Sequence, residues 1–134
     1  MIQPTTIQVR FVDVDMMSHV NNATYLSYFE YARMDFFNQV LGSDWDWQKD
    51  GIILLKNEIE YLIPVRLEDK PEIVVDVRKL GNKSFSLGYS LTVNGKVCCQ
   101  GVSLLVAYDY TVGGAQLIPS VMRAKLENIK GNSN

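Results

Sequence analysis

The sequence predicts an α+β protein in which one long, largely buried helix lies against an antiparallel sheet. Three observations carry this prediction. Residues 22–41 are rich in aromatic side chains and have helical periodicity. Several later segments alternate apolar and polar residues, as strands do. The dipeptide Asn94-Gly95 lies between two such segments and is the strongest hairpin signal in the chain.

The first two predicted elements are a strand over residues 5–12 and a helix over residues 22–41. At 100° per residue, one broad face of the helix is apolar. That face contains Tyr25, Leu26, Phe29, Ala32, Phe36, Phe37 and Val40. Arg33 projects into the middle of it, where an unpaired charge is costly. Glu30, three residues earlier, is the expected ion-pair partner.

Four further strands are predicted over residues 52–63 and 72–78, and on the two sides of the Asn94-Gly95 turn. A two-residue turn pairs apolar residues with apolar residues: Leu91 with Cys98, Leu87 with Val102 and Phe85 with Leu104. The same register sets Gly88 opposite Gly101 and Ser86 opposite Ser103. The second face of this hairpin is therefore expected to be small and flat. A short helix from Pro119 to about residue 128 completes the chain.

Composition narrows the function classes. The chain has 134 residues, a single domain over 1–134 by length, and its apolar fraction of 47% and charged fraction of 21% are ordinary for a globular protein. A net charge of −2 argues against a nucleic-acid or anionic-membrane surface. No apolar stretch reaches the roughly 18 residues of a membrane span, and no signal peptide is evident.

The two cysteines, Cys98 and Cys99, are adjacent and point to opposite faces of a strand, so a disulfide between them is not expected. A reducing cytoplasmic location is the default expectation. No cysteine–histidine spacing is typical of a zinc site, and no metal or bound cofactor is expected.

Polar residues gather just before the aromatic helix. Asp13 and Asp15 are followed by the only histidine, His19, and then by Asn21 and Asn22, either of which is a good helix N-cap. Helix N-termini present unpaired backbone N–H groups, which can polarise a carbonyl while a nearby carboxylate attacks it or activates water. This pattern alone is weak evidence for acyl transfer, because aspartates near helix starts are usually caps.

The residues themselves resemble a family. Arg10, Asp13-x-Asp15-x-x-x-His19-Val20-Asn21-Asn22-x-x-Tyr25 and Glu30-x-x-Arg33 resemble the motif of the 4-hydroxybenzoyl-CoA thioesterase-like hotdog-fold proteins. The His-Val-Asn-Asn form is most similar to their bacterial acyl-CoA thioesterase branch. The similarity continues through LGNKSFSLGYSL (residues 80–91) and GVSLLVAYD (residues 101–109). It implies a hotdog fold, an antiparallel sheet of about five strands wrapped around one long central helix.

The resemblance also implies roles at the reacting centre. Asp15 would be the catalytic carboxylate, either as general base for water or as nucleophile through a mixed anhydride. The thioester carbonyl would meet the backbone N–H near Asn22, and Asp13 would have a supporting, structural role. His19 would either act in the reaction, by orienting Asp15 or touching the thioester, or only fix the loop through hydrogen bonds. Glu30 is the reserve catalytic carboxylate.

Substrate binding is implied at other positions. Tyr25 would line the acyl pocket while also belonging to the core. Lys83 and Ser84 match positions at which relatives hold coenzyme A, with Arg66 and Lys79 as further candidates. Ser18, before the histidine, stands where relatives often have glycine or another residue, and serine tolerates a positive φ poorly.

The function implied is hydrolysis of acyl-CoA to a carboxylic acid and free coenzyme A by at least a homodimer. The flat Gly88 and Ser86 face favours a homotetramer. Three alternatives stay open: an acyl group delivered on acyl carrier protein, hydration of an enoyl thioester, and a non-catalytic module that binds acyl thioesters.

Overall fold

The computed structural model describes residues 2–132 and confirms the predicted α+β class. Its elements are β1 Thr5–Thr6, a 3-10 turn Phe11–Asp13, α1 Thr24–Leu41, β2 Gly51–Tyr61, β3 Glu72–Leu80, β4 Ser84–Val93, β5 Lys96–Asp109, β6 Gly114–Ala115 and α2 Ser120–Asn132. The sheet has the strand order β1-β3-β4-β5-β2, and β6 pairs with β5. It has six strands rather than about five, because two-residue strands occur near each end of the chain.

The first strand is much shorter than the predicted residues 5–12. Only Thr5 and Thr6 pair with β3. The chain then turns at Phe11–Asp13, where the Asp13 carboxylate accepts a hydrogen bond from the Arg10 backbone N–H at 2.9 Å. Beyond Thr6, the Ile7 N–H donates to the Pro71 carbonyl at 2.9 Å, and Ile7 and Val9 remain buried, so the alternation of burial continues although strand pairing with β3 has ended.

The chain divides into two compact units. The first comprises the chain up to Phe37 with Ile59–Val75 and Tyr89–Gly101. Its core contains a stacked aromatic pair, Phe29 and Tyr89, with ring centroids 4.7 Å apart.

The predicted Glu30–Arg33 ion pair is wrong. Arg33 is only 8% exposed, and its Nη1 donates to the Tyr89 hydroxyl at 3.0 Å. Glu30 lies on the exposed side of α1. A buried hydroxyl on the sheet therefore satisfies Arg33 in place of the neighbouring carboxylate.

The second unit comprises Asn38–Glu58, Asp76–Gly88 and the chain from Val102. It corrects the predicted hairpin register. Phe85 and Leu87 are buried as expected, but β5 buries Ser103, Leu105 and Ala107 instead of Val102 and Leu104. The Ala107 N–H donates to the Lys83 carbonyl at 2.8 Å, and Leu104 shares a groove with Ser84 and Ser86. The predicted pairs Phe85–Leu104, Leu87–Val102 and Ser86–Ser103 are therefore wrong by one residue.

The offset has a local cause in β5. Asn94 and Gly95 have φ of 52° and 81°, which confirms a tight turn with both central residues in the left-handed region. Cys98 and Cys99 are then both buried, so strict alternation fails there. The N–H groups of Leu62 and Ile63 both donate to the Cys98 carbonyl, at 2.9 and 3.0 Å. Because these two N–H groups belong to the opposite strand, they do not place the extra residue in β5. Between the tight turn and the Ala107–Lys83 bond, β5 uses one residue more than β4, which is the pattern of a β-bulge in β5.

The expected flat face does not form. The Arg78 guanidinium lies over Gly88, where a Cβ would collide with it. Ser86 is only 7% exposed, and Ser103 lies on the other side of the sheet, with its Oγ donating to Asn57 Oδ1 at 2.5 Å. The basis for expecting a tetramer is therefore missing from the structure.

Strand β2 is at the end of the strand order and has large apolar side chains in solvent. Leu54 is 42% exposed and Leu55 is 58% exposed. The alternating apolar residues of β2 therefore do not form a face that is buried within a single chain. No helix among residues 2–132 combines the length and the apolarity that crossing a bilayer requires.

Candidate active site

Asp13 lies at the buried base of the segment that precedes α1. It is 3% exposed, and its Oδ2 accepts hydrogen bonds from the Tyr28 hydroxyl at 2.8 Å and the Arg10 N–H at 2.9 Å. Burial acts to raise the pKa of Asp13, but the Arg10 N–H, the Tyr28 hydroxyl and the Arg10 guanidinium outweigh it and lower the pKa. These contacts tie the segment to α1 and support a structural role for Asp13.

Asp15 is exposed in the tight loop that follows. Its Oδ1 accepts the N–H groups of Met17 at 2.8 Å and His19 at 3.1 Å, and its own N–H donates to the His19 carbonyl at 2.8 Å. No donor among residues 2–132 reaches Oδ2. Ser18 has φ of 62°, the left-handed conformation that its side chain tolerates poorly. The loop thus holds one carboxylate oxygen and leaves the other open.

The helix start is built on Asn21. Its side-chain oxygen accepts the Ala23 N–H at 2.9 Å, and its carbonyl accepts the Thr24 N–H at 2.9 Å. Asn21 is therefore the capping residue of the two asparagines. The Asn22 N–H has no hydrogen-bond partner within residues 2–132, while the Asn22 carbonyl accepts the Tyr61 hydroxyl at 2.9 Å. An open N–H at a helix N-terminus suits a developing oxyanion.

An open groove of about 560 Å³ brings these groups together. Its lining consists of Asp15, Met17, His19, Val20, Asn21, Asn22, Tyr25, Tyr61, Leu62, Ile63 and Pro64. The predicted residues Asp15, His19, Asn22 and Tyr25 are thus in one place. Asp15, which has a carboxylate oxygen without a partner in the described chain, and Asn22, which has a backbone N–H without one, line the same groove. This is the pair of groups that thioester hydrolysis needs.

Tyr25 is a wall of this groove rather than an exposed binding residue. It is 3% exposed, and its hydroxyl accepts the Val65 N–H at 3.2 Å. Burial raises the pKa of Tyr25, so its hydroxyl stays protonated at neutral pH. Its ring meets the Tyr61 ring edge to face, with centroids 5.2 Å apart.

The remaining predicted binding residues, Lys83 and Ser84, belong to the second unit and do not line this groove. Lys83 is exposed in the turn between β3 and β4. Ser84 lines a second groove of about 580 Å³. The charged side chains of that groove are Arg78, Lys79, Arg123, Glu127 and Lys130. Four cations against one carboxylate make this groove basic on a chain whose net charge is −2.

Tyr61 lines the first groove, although the sequence did not mark it as a functional residue. Tyr61 contacts the helix start from 39 residues along the chain. Its place at the end of an alternating strand carries no local signal for that contact. Within residues 2–132, no three aspartate, glutamate, histidine or cysteine side chains gather where they could hold a metal ion.

The family model of the thioesterase-like superfamily matches residues 9–126. The chain belongs to this superfamily. It is 29% identical over 128 residues to the long-chain acyl-CoA thioesterase FadM of Escherichia coli K12, covering 93% of this chain and 97% of that one. It is also 27% identical over 110 residues to the uncharacterised protein YsmA of Bacillus subtilis, covering 81% of this chain and 74% of that one.

Solved structures confirm the hotdog fold. A thioesterase from Thermus thermophilus, complexed with coenzyme A and zinc, matches with a TM-score of 0.85 and 31% identity, covering 96% of this chain and 94% of that one. A predicted thioesterase from Bacillus stearothermophilus matches in fold with a TM-score of 0.84 at 24% identity, covering 94% of each chain. Superfamily membership together with these relatives makes the chain a thioester hydrolase.

Proposed function

We propose that this protein hydrolyses acyl-CoA to a carboxylic acid and free coenzyme A, with Asp15 as the catalytic carboxylate. One observation carries the proposal: Asp15, with one open carboxylate oxygen, and Asn22, with an open backbone N–H, line one groove. FadM, a relative over nearly its whole length, is a long-chain acyl-CoA thioesterase, which supports coenzyme A as the carrier.

In the proposed reaction, the thioester carbonyl oxygen accepts the Asn22 N–H, and the helix terminus stabilises the negative charge that develops on it. Asp15 either removes a proton from the attacking water or attacks the carbonyl and forms a mixed anhydride that water then opens. In both routes coenzyme A leaves as the thiol. The loop bonds from Met17 and His19 hold Oδ1 and orient Oδ2 for this role.

His19 has two proposed roles that stay open. Its backbone N–H already holds Asp15, which supports the loop-fixing role. Its side chain also lines the groove, where it can touch the substrate. Glu30 does not line this groove, so we propose it only as the reserve carboxylate.

The basic groove of the second unit is the proposed site for the phosphates of coenzyme A. Arg123 is held there by hydrogen bonds from Nη2 to the Gly81 carbonyl and from Nη1 to Glu127, the latter at 3.4 Å. Lys79 makes no ion pair within residues 2–132 and is exposed. Ser84 lines the groove, and Lys83 lies in the adjoining turn. Phosphate oxygens would find several charged donors close together here, on a chain whose net charge is −2.

A homodimer is the proposed assembly. The exposed edge strand β2 carries Lys56 and Glu58 on either side of Asn57, paired within the chain at 2.8 Å. Antiparallel pairing of two copies about Asn57 would set each lysine opposite the other copy's glutamate and cover the exposed leucines. A tetramer stays a prediction without the flat face that suggested it. Light scattering would measure the mass in solution, and a stable monomer would contradict the dimer.

The test of function is thiol release from a panel of short, long and aromatic acyl-CoA esters by the wild type and by Asp15→Asn. Asparagine retains Oδ1 as an acceptor for the loop and removes the base. A fall of about 100-fold or more supports Asp15 as the catalytic carboxylate. Turnover that survives the substitution would assign the chemistry to His19 or Glu30. Turnover only with acyl groups on a carrier protein would change the proposed substrate.

A further inference from the structure

The peptide group between Asn22 and Ala23 is held at both ends. Its N–H, on Ala23, donates to the Asn21 side chain at 2.9 Å. Its carbonyl, on Asn22, accepts the Tyr61 hydroxyl at 2.9 Å. One bond comes from the adjacent residue and the other from the end of β2. Within the described chain, no other peptide group of the groove residues has both its N–H and its carbonyl bonded to side chains.

Holding this peptide fixes the orientation of the open Asn22 N–H. That N–H lies on the preceding peptide, between Asn21 and Asn22, whose carbonyl accepts the Thr24 N–H at 2.9 Å. If the Asn22–Ala23 peptide rotates, the first turn of α1 frays and the bond from Thr24 is lost. The Asn21–Asn22 peptide is then free to turn, and its N–H no longer points at a fixed place.

Tyr61 is itself held firmly enough to fix another group. Its ring packs edge to face on the buried Tyr25. The two residues after it, Leu62 and Ile63, both donate their N–H groups to the Cys98 carbonyl. The hydroxyl therefore projects from a strand end whose backbone and ring are both fixed, although the side chain is 45% exposed.

We infer that Tyr61 is a positioning residue for thioester hydrolysis, acting through the Asn22 carbonyl to aim the Asn22 N–H at the substrate oxygen. The inference rests on the proposed function and adds a residue to it. Tyr61 acts on the enzyme backbone and not on the reacting atoms. Its loss should therefore reduce the rate of the chemical step more than it weakens substrate binding.

The chain offers a matched control. Tyr110 also donates its hydroxyl to a backbone carbonyl, that of Ile52, at 2.9 Å, and it is 48% exposed. It belongs to the second unit and does not line the groove. Tyr61→Phe and Tyr110→Phe thus remove the same kind of bond from side chains of similar exposure, and their melting temperatures should fall by similar small amounts.

The kinetic experiment compares these two variants with the wild type on the best acyl-CoA ester of the panel. Tyr61→Phe should lower kcat roughly 10-fold, because small misplacements of a catalytic group cost that much or more, and should leave KM within about 2-fold. Tyr110→Phe should match the wild type in both constants. An unchanged kcat for Tyr61→Phe, or an equal loss in Tyr110→Phe, overturns the inference.

A second measurement does not depend on turnover. Amide hydrogen exchange followed by NMR should show faster exchange at Ala23 and Thr24 in Tyr61→Phe and no change there in Tyr110→Phe. Unchanged exchange at both amides overturns the inference even if kcat falls. If the wild type releases no thiol from any ester, the proposed function fails, and the exchange result alone decides whether Tyr61 holds the helix start.

Discussion

Asp13 and Asp15 are two residues apart in the sequence and lie in opposite surroundings. Asp13 is 3% exposed, and both of its oxygens accept hydrogen bonds. Asp15 is exposed, and the chain holds only its Oδ1. Asp13 ends the 3-10 turn Phe11–Asp13, whereas Asp15 lies in the loop that contains the left-handed residue Ser18.

The difference is what the proposed roles of the two side chains require, a structural one for Asp13 and a catalytic one for Asp15. A buried carboxylate whose two oxygens both accept hydrogen bonds within the chain can stabilise the fold but is shielded from a substrate. A carboxylate held by one oxygen is oriented and still able to react. The comparison predicts that substitutions at the two positions separate stability from activity.

The largest expected effect is on turnover. Asp15→Asn should reduce thiol release by about 100-fold or more while leaving the melting temperature close to that of the wild type, because surface substitutions rarely change stability much. Asp13→Asn, assayed at a temperature where it is folded, should keep most of the wild-type rate. Equal rate losses in both variants would remove the distinction between the two aspartates.

The next effect is on stability. Asp13→Ala leaves the Tyr28 hydroxyl and the Arg10 N–H without their acceptor, and should lower the free energy of unfolding by about 1–3 kcal/mol. Urea unfolding at neutral pH measures this. Asp15→Asn is the control and should change by no more than about 0.5 kcal/mol. A fully stable Asp13→Ala would show that the buried contacts contribute nothing.

The third effect concerns pH. Because the pKa of Asp13 is lowered below 3.8, its carboxylate stabilises the fold above the unfolded pKa, and this contribution is lost as pH falls through the folded pKa. Tyr28→Phe removes one of the bonds that lower this pKa. It should cost about 1 kcal/mol at pH 7, and the difference from the wild type should shrink below about pH 4. Urea midpoints across pH measure this, and a difference that stays constant would contradict the linkage.

The smallest effect is at Ser18. Glycine adopts φ of 62° without the steric cost that serine has there, although it loses more backbone entropy on folding. Ser18→Gly should therefore raise the free energy of unfolding by about 0.5 kcal/mol and leave thiol release near the wild-type rate. A destabilised Ser18→Gly would show that the serine side chain contributes a contact to the loop.

The sequence predicted the parts of the fold that depend on local chemistry. Helical periodicity placed α1 within two residues of its observed start, and Asn94-Gly95 placed the hairpin turn. The motif resemblance predicted that Asp15 and His19 belong to one site, and both residues line the first groove.

The wrong predictions concern contacts between residues that are far apart in the sequence. Tyr89 takes the place of Glu30 beside Arg33. Tyr61 reaches the helix start from the end of another strand. After Thr6, the Ile7 N–H bonds to the carbonyl of Pro71, before the start of β3, so the predicted strand does not extend to residue 12. Neither periodicity nor spacing within one segment contains these long-range contacts.

The bulge near Cys98 makes strand β5 sensitive to a kind of variation that single substitutions do not sample. Every side chain after the bulge faces its side of the sheet because one extra residue precedes it. Deleting one residue between Gly95 and Cys99 would turn Leu104 inward and Leu105 outward, and would do the same along the rest of the strand. Over evolutionary time, this strand should therefore accept changes of residue far more readily than changes of length.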